Sequence, residues 1–418
     1  MMGSRSHIVV AVLSLFLIYS TSIPFQYLDL PGNYSLLNGT NRLRLGFNED
    51  AILNFTGLTS KYGYPSEEHT VTTEDGYILT LFRMLKREHC GKPLRSPVIL
   101  MHGFVDTADT FIIAGPRIGL AYLLADACYD VWCPNHRGSR YSRRHVTLDP
   151  DTDAKFWNYT YDEHGMFDLP AVTDYVLDNT RSKKLSYVGH SQGTAAFFVL
   201  ASTRPEYNKK FNVAVCLGPI AWFYNTYSPL IRLAGKFTRQ IQLLMHYTGV
   251  NELFGPTQPL VHVVEFLCQY IPKGFCGTTV FVLAGQNPDN IGQKTLAAIA
   301  GHYPRSSSAN SLVHFGQMLT VDKFRRFDYG TDNMKVYGTP EPPEFDLSRV
   351  KVPVALIAGK RDWFVSLKDV DRLNQSLPNV IDYYIPPEQD WSHGDFVWGA
   401  GAPRRVAPKI LQYLKKYG

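Results

Sequence analysis

The chain has 418 residues, more than the roughly 100 to 200 of an average domain, so a small stapled scaffold is excluded; two or three domains, or one large α/β domain with an insertion, are expected. Apolar residues make up 45% and charged ones only 19%, below the roughly 25% usual in soluble domains, which excludes disorder. The net charge of +5 is spread along the chain without a polybasic block, so no nucleic-acid partner is expected.

Arg5 and His7 precede the apolar run Ile8 to Tyr19, and Ser20, Thr21 and Ser22 then offer a cleavage site, so residues 1–22 read as a secretory signal peptide. The run is well short of the roughly 20 residues needed to span a bilayer. No later segment is apolar and uninterrupted enough to span, so the expectation is a soluble mature protein without a transmembrane segment, secreted or in the lysosomal lumen. That route makes the five N-x-S/T sequons, at Asn33, Asn38, Asn54, Asn158 and Asn374, readable as glycosylation acceptors.

Residues 23–60 form a polar, sequon-dense N-terminal extension. Glu68 to Arg83 then reads as two strands joined by a hairpin turn at Glu74-Asp75-Gly76-Tyr77. Continuous apolar runs follow at Pro97 to Met101, Tyr129 to Cys133, Leu185 to Gly189, Val213 to Gly218 and Val352 to Ala358, with a more polar strand at Val380 to Ile385. Helix-length segments such as Asp168 to Asn179 and Gln192 to Thr203 lie between them, and an amphipathic helix is expected at Ala407 to Lys416. Buried strands alternating with helices predict a mostly parallel sheet covered on both faces.

That alternation fails over 220–343. Long apolar and aromatic stretches, Ala221 to Leu233, Leu260 to Ile271 and Thr279 to Leu283, are broken there by Pro and Gly. The segment reads as an inserted cap between two parts of a core, 61–219 and 344–418, with Pro340 to Pro343 as the hinge back. Of six cysteines most need no partner: Cys133 and Cys216 lie in strand-like runs and are expected as buried free thiols. Cys268 and Cys276 flank a short Pro/Gly loop that a disulfide would close.

The chemistry concentrates at Gly189-His190-Ser191-Gln192-Gly193, a G-x-S-x-G between a predicted strand and a predicted helix. Such a tight turn leaves no room for flanking side chains and projects the Ser191 hydroxyl from the sheet's edge. A serine hydroxyl needs a base that an acid orients, and on this topology the order is Ser, Asp or Glu, His. Of the five histidines after Ser191 only His393 follows the last predicted core strand. Asp362 comes just after the strand Val352 to Ala358 and is the first choice of acid. Asp369 and Asp371, on a predicted surface helix, and Asp390, close to His393, are its rivals, read as solvated charges. The oxyanion donors expected are the backbone N–H groups of Gln192 and of Phe104, in the loop His102-Gly103-Phe104 after strand Pro97 to Met101; His102 reads as a buried brace. No metal-ligand spacing such as H-E-x-x-H occurs and no dinucleotide fingerprint is completed, so neither a metal nor a cofactor is required.

With these residues in place the chain resembles the acid lipases, the group of gastric and lysosomal acid lipases and insect digestive homologues. The matching segments run from Gly63-Tyr64-Pro65-Ser66-Glu67-Glu68 and Thr73-Glu74-Asp75-Gly76-Tyr77-Ile78-Leu79 through Met101-His102-Gly103, Tyr129-Asp130-Val131-Trp132 and Asn135-His136-Arg137-Gly138. They continue with Ser142-Arg143-Arg144-His145, Asp168-Leu169-Pro170-Ala171, the elbow itself and Asp395-Phe396-Val397-Trp398-Gly399. The resemblance implies an α/β-hydrolase fold with an inserted cap and hydrolysis of neutral lipid esters at a lipid–water interface, with Ser191, Asp362 and His393 as the triad and Phe104 and Gln192 at the oxyanion positions. Cys268 and Cys276 are similar to cysteines of the family's cap; the family pattern has a third cysteine shortly before them that is absent here, and Ala284-Gly285-Gln286-Asn287 departs from the digestive enzymes. A short-chain esterase, a serine peptidase and a non-catalytic lipid carrier are the competing readings on the same fold. A carrier is expected to have lost a triad member, and the aromatic cap favours lipid over peptide.

Overall fold

The computed structural model describes residues 48–256 and 290–418, apart from 86, 92 and 93. The signal segment, Asn33, Asn38, Cys268, Cys276 and the stretches 260–271, 279–283 and 284–287 lie outside the described residues. Strands β1 (Ser66–Thr72) and β2 (Ile78–Met84) form the expected hairpin, with Thr72 opposite Ile78. Gly76 turns it at φ +96°, where a Cβ would meet the His145 ring at 2.7 Å.

Strands β3 (Arg95–Met101), β4 (Tyr129–Pro134), β5 (Leu185–His190), β6 (Phe211–Leu217), β9 (Val354–Ile357) and β10 (Val380–Tyr384) complete an eight-stranded sheet in the order β1-β2-β4-β3-β5-β6-β9-β10. It is parallel from β4 to β10 and antiparallel at the β1-β2-β4 edge. Alternate residues of a strand face opposite sides. Ile99 and Met101 accordingly join one apolar cluster with Leu356, Ala195 and Phe197, while Val98 and Leu100 join another with Ile410 and Leu414. The helix Gln192–Thr203 therefore covers one face and the C-terminal helix Ala407–Tyr417 the other, which is why the central strands read as unbroken apolar runs. Edge strand β10 is half-buried at every position, matching its polar sequence.

The helix Phe55–Lys61, capped by Asn54, packs on this core through Phe55 stacked 4.3 Å from Phe82. Between β6 and β9 the described chain forms helices Pro229–Gly235, Thr238–Thr248, Gln293–His302, Ala309–Thr320 and Asn333–Tyr337 and a two-stranded ribbon, β7 (Glu252–Leu253) with β8 (Ser307–Ser308). Met245, Leu253, Ala309, Val313 and Phe327 form its own small apolar cluster, and Phe315, Met318 and Phe324 join the main core. Among the described residues no helix is long and apolar enough to cross a membrane.

Cys133 and Cys216 are buried free thiols, and burial pushes both well up from the usual range. A disulfide joins Cys90 to Cys128, a pair left unassigned from the sequence. The link follows from topology: the two cysteines precede β3 and β4, and parallel pairing brings the starts of both strands to one end, where Arg95 N–H donates to the Cys128 carbonyl at 2.9 Å. Asp369 also departs from expectation. It lies on the helix Leu367–Ser376, yet it is buried and accepts from both the backbone and the side-chain amide of Asn225, at 2.9 and 2.6 Å, tying the start of the 220–343 segment to the core.

Candidate active site

Ser191 stands between β5 and the helix Gln192–Thr203 with φ 54° and ψ −121°, a backbone that non-glycine residues adopt at a cost of about 1–3 kcal/mol. Local packing enforces it. A Cβ on Gly189 would lie 2.8 Å from the Tyr187 ring, and one on Gly193 would lie 2.6 Å from the Met101 carbonyl oxygen. Ser191 N–H donates to the Leu217 carbonyl at 2.9 Å, which pins the turn to β6. The serine is 9% exposed at the carboxyl end of the parallel strands, where open α/β sheets carry their sites.

Asp362 follows β9 and is 1% exposed. Its Oδ1 accepts from the N–H groups of Phe364 and Val365 at 3.0 and 2.8 Å, and its Oδ2 lies 2.7 Å from His393 Nδ1. With the carboxylate accepting, Nδ1 carries the proton and Nε2 keeps its lone pair. The two loops are tied together, since Arg361 N–H donates to the Trp391 carbonyl at 3.0 Å and Gly359 approaches that oxygen so closely that a Cβ would lie 2.5 Å away. The rivals stand elsewhere: Asp390 is exposed and pairs with Arg361 at 3.1 Å, Asp369 is bound to Asn225, and Asp371 is exposed.

Two residues that the sequence reading passed over set His393 in place. His190 Nε2–H donates to the His393 carbonyl at 3.1 Å. Gly218, at φ +54°, abuts the same histidine: a Cβ there would sit 3.0 Å from the His393 ring and 3.4 Å from Asp362 Oδ2. His393 is thereby held beside residues 190 and 218, the neighbours of Ser191 and Leu217. The only signal for Gly218 was its position at the end of an apolar run, and for His190 there was none.

The loop after β3 runs directly against the serine, since a Cβ on Gly103 would lie 3.2 Å from the Ser191 Cβ. His102 is buried and braces this loop. Its Nε2 accepts from His136 N–H at 3.2 Å, so its Nδ1–H donates to the Gly103 carbonyl at 2.9 Å, and burial lowers its pKa to about 4. Gln192 opens its helix, so its backbone N–H has no acceptor within the helix. Four ring contacts in sequence join the Phe104 loop to His393: Phe104 to Phe315 at 5.4 Å, Phe315 to Phe223 at 5.7 Å, Phe223 to Phe364 at 6.4 Å and Phe364 to His393 at 5.1 Å.

A mostly parallel sheet, a strained serine between strand and helix, and a histidine and carboxylate on the following loops define an α/β-hydrolase. The family model described as "alpha/beta hydrolase fold" matches residues 96–245 and that described as "Partial alpha/beta-hydrolase lipase region" matches residues 55–115. The chain is 38% identical over 377 residues to Lipase 1 of Drosophila melanogaster, covering 89% of this chain and 82% of that protein. To the human lysosomal acid lipase/cholesteryl ester hydrolase it is 34% identical over 370 residues, covering 87% and 91%. An α/β-hydrolase fold protein of Nakamurella multipartita superposes with a TM-score of 0.50 at 15% identity, covering 84% of this chain and all of that one, a likeness of fold alone. The chain belongs to the acid lipase family and is a carboxylic ester hydrolase.

Proposed function

We propose that the protein hydrolyses esters of neutral lipids, triacylglycerol or cholesteryl ester, through an acyl-enzyme on Ser191. His393 Nε2 takes the hydroxyl proton as Oγ attacks the ester carbonyl, and Asp362 orients and balances the imidazolium. The N–H groups of Phe104 and Gln192 receive the oxyanion. The tetrahedral species collapses with loss of the alcohol, which leaves with the proton from His393; water, activated by the same histidine, then releases the fatty acid. The observation that carries this reading is the 2.7 Å His393–Asp362 pair held against the two residues that flank Ser191 and Leu217.

The lipid part of the reading rests on apolar surface. The four phenylalanine rings give an acyl chain an apolar wall, and Leu243 and Tyr247, 55% and 89% exposed, share one side of the helix Thr238–Thr248, as a segment that meets a lipid–water interface requires. We assign residues 220–343 to a cap over two core parts, 61–219 and 344–418. A buried CH₂ contributes about 0.8 kcal/mol, so kcat/KM across an acyl-length series in detergent dispersion should rise steeply with chain length. A flat profile, or one that peaks at acetate, would make the protein a short-chain esterase.

The apolar run near the N-terminus and the Cys90–Cys128 disulfide support a secretory route, because disulfides persist in oxidising compartments. On that route Asn54 and Asn158, both exposed, and the half-buried Asn374 are acceptors alongside Asn33 and Asn38. A Cys268–Cys276 disulfide, expected from the sequence alone, belongs to the same proposal. Mapping of the unreduced protein should yield that linked peptide, and recovery of both as free thiols would refute the pairing.

A further inference from the structure

Behind the elbow lies a group of buried histidines to which the reaction assigns no step. His164–Asp168 is a π-turn between the short helix Tyr161–Glu163 and the helix Leu169–Thr180; such turns are rare and concentrate at functional sites. It rides directly on the elbow helix, because a Cβ on Gly165 would lie 2.5 Å from the Val199 Cβ and 2.6 Å from the Ala196 carbonyl oxygen. That close approach brings His164 Nδ1 within 3.1 Å of Gln192 Nε2.

The other end of the turn is anchored just as firmly. Asp168 accepts from Arg137 N–H at 3.0 Å and from its Nε at 2.7 Å. Arg137 follows His136, whose ring stacks on that of His164 with centroids 4.2 Å apart and planes 13° from parallel. His136 N–H in turn donates to His102, which holds Gly103. A continuous buried path thus runs from the side chain of Gln192 through His164, His136 and His102 to the loop that carries Phe104.

We propose that His164 is a positioning residue for the oxyanion hole, fixing the first turn of the elbow helix through the Gln192 side chain. The inference rests on the reading of Gln192 and Phe104 as oxyanion donors. Burial, reinforced by the Arg137 guanidinium, keeps His164 well below the ordinary histidine range, so its Nδ1 lone pair accepts the Gln192 amide hydrogen. The group is unsuited to a metal, although the ligand atoms of His136, His164 and Asp168 lie within 4.8 Å of one another. Lone pairs of stacked rings lie in parallel planes and do not converge on one ion, and Asp168 is already engaged by a cation.

A donor that stabilises charge only in the transition state acts on kcat, and this separates positioning from packing. His164→Phe keeps the ring stack and loses the acceptor; His164→Asn keeps an acceptor; Gln192→Met removes the donating end and leaves the backbone N–H. On a soluble p-nitrophenyl ester, His164→Phe should lower kcat about tenfold or more, short of the roughly 10²–10³ of deleting a donor outright, with KM within about twofold. Gln192→Met should match it, the double variant should lose no more than either single one, and His164→Asn should recover most of the rate. Melting temperature is followed throughout. An unchanged kcat in folded His164→Phe, additive losses in the double variant, no recovery in His164→Asn, or stoichiometric zinc in the purified protein would each overturn the proposal. Ser191→Ala is assayed in parallel: if it retains turnover, the serine mechanism itself fails, whereas a dead Ser191→Ala beside a normal His164→Phe removes this inference alone.

Discussion

The two sides of Ser191 handle their polar atoms in opposite ways. Towards β9, Asp362 is 1% exposed and takes three N–H bonds, the third from His393. Towards the π-turn, His136 is buried as deeply, yet among the described residues neither of its ring nitrogens finds a hydrogen-bond partner, and His164 Nε2 and Gln192 Oε1 also lack one. The difference follows from charge. A buried carboxylate must be paired and hydrogen-bonded to be tolerated, and on the proposed mechanism this one also balances an imidazolium during turnover. A neutral ring left without partners costs only about 1–3 kcal/mol per unsatisfied atom, a sum that close packing can offset. One side is built to carry charge, and the other to hold shape.

The largest effect expected on the charged side is that of Ser191→Ala, which should cut turnover by about 10⁶-fold while the fold survives, since Gly189 and Gly193 still shape the turn. Near-normal hydrolysis by a folded Ser191→Ala protein would refute the mechanism. Next in size, Asp362→Asn should cost about 10⁴-fold, as loss of the orienting carboxylate does in such triads, and His393→Ala should be severely impaired. Asp390→Asn should be nearly normal, because Asp390 is exposed and pairs with the exposed Arg361. A dead Asp390→Asn variant would reverse the assignment of the acid.

The charged side was the more legible in the sequence, and the reason is physical. Gly189, Ser191 and Gly193 meet a steric demand within five residues, and Asp362 and His393 fall at places fixed by the strand order, which the apolar runs declared. Gly218 was missed because its constraint comes from His393, 175 positions away in the chain. The Cys90–Cys128 link was missed because it depends on two strands starting at the same end of the sheet. Asp369 misled for a related reason: its helix lies at the surface as expected, but the partner that buries it, Asn225, comes from the 220–343 segment. No local pattern marks His164, since a π-turn leaves no residue signature and its contact with Gln192 is purely tertiary.

The smallest expected effect tests the shape-holding side, and it shows as a dependence of stability on pH. Burial, together with the neighbouring His164, His102 and Arg137, holds His136 well below the ordinary value of 6.5. The folded protein therefore binds fewer protons at this ring than the unfolded chain does at acid pH. The stability linked to His136 is intact above pH 6.5 and is lost as pH falls below it, by about 1.4 kcal/mol per pH unit. His136→Phe keeps a stacking ring and the backbone N–H to His102, gives up no side-chain hydrogen bond, and has no proton to gain. Relative to the parent, the variant should therefore improve between pH 7.5 and pH 5 by about 2 kcal/mol, read from urea unfolding at the two pH values, with hydrolysis retained. If the difference between the two proteins were the same at both pH values, His136 would take up its proton as readily in the folded protein as in the unfolded chain, and the division of the site into a charged and a neutral side would fail.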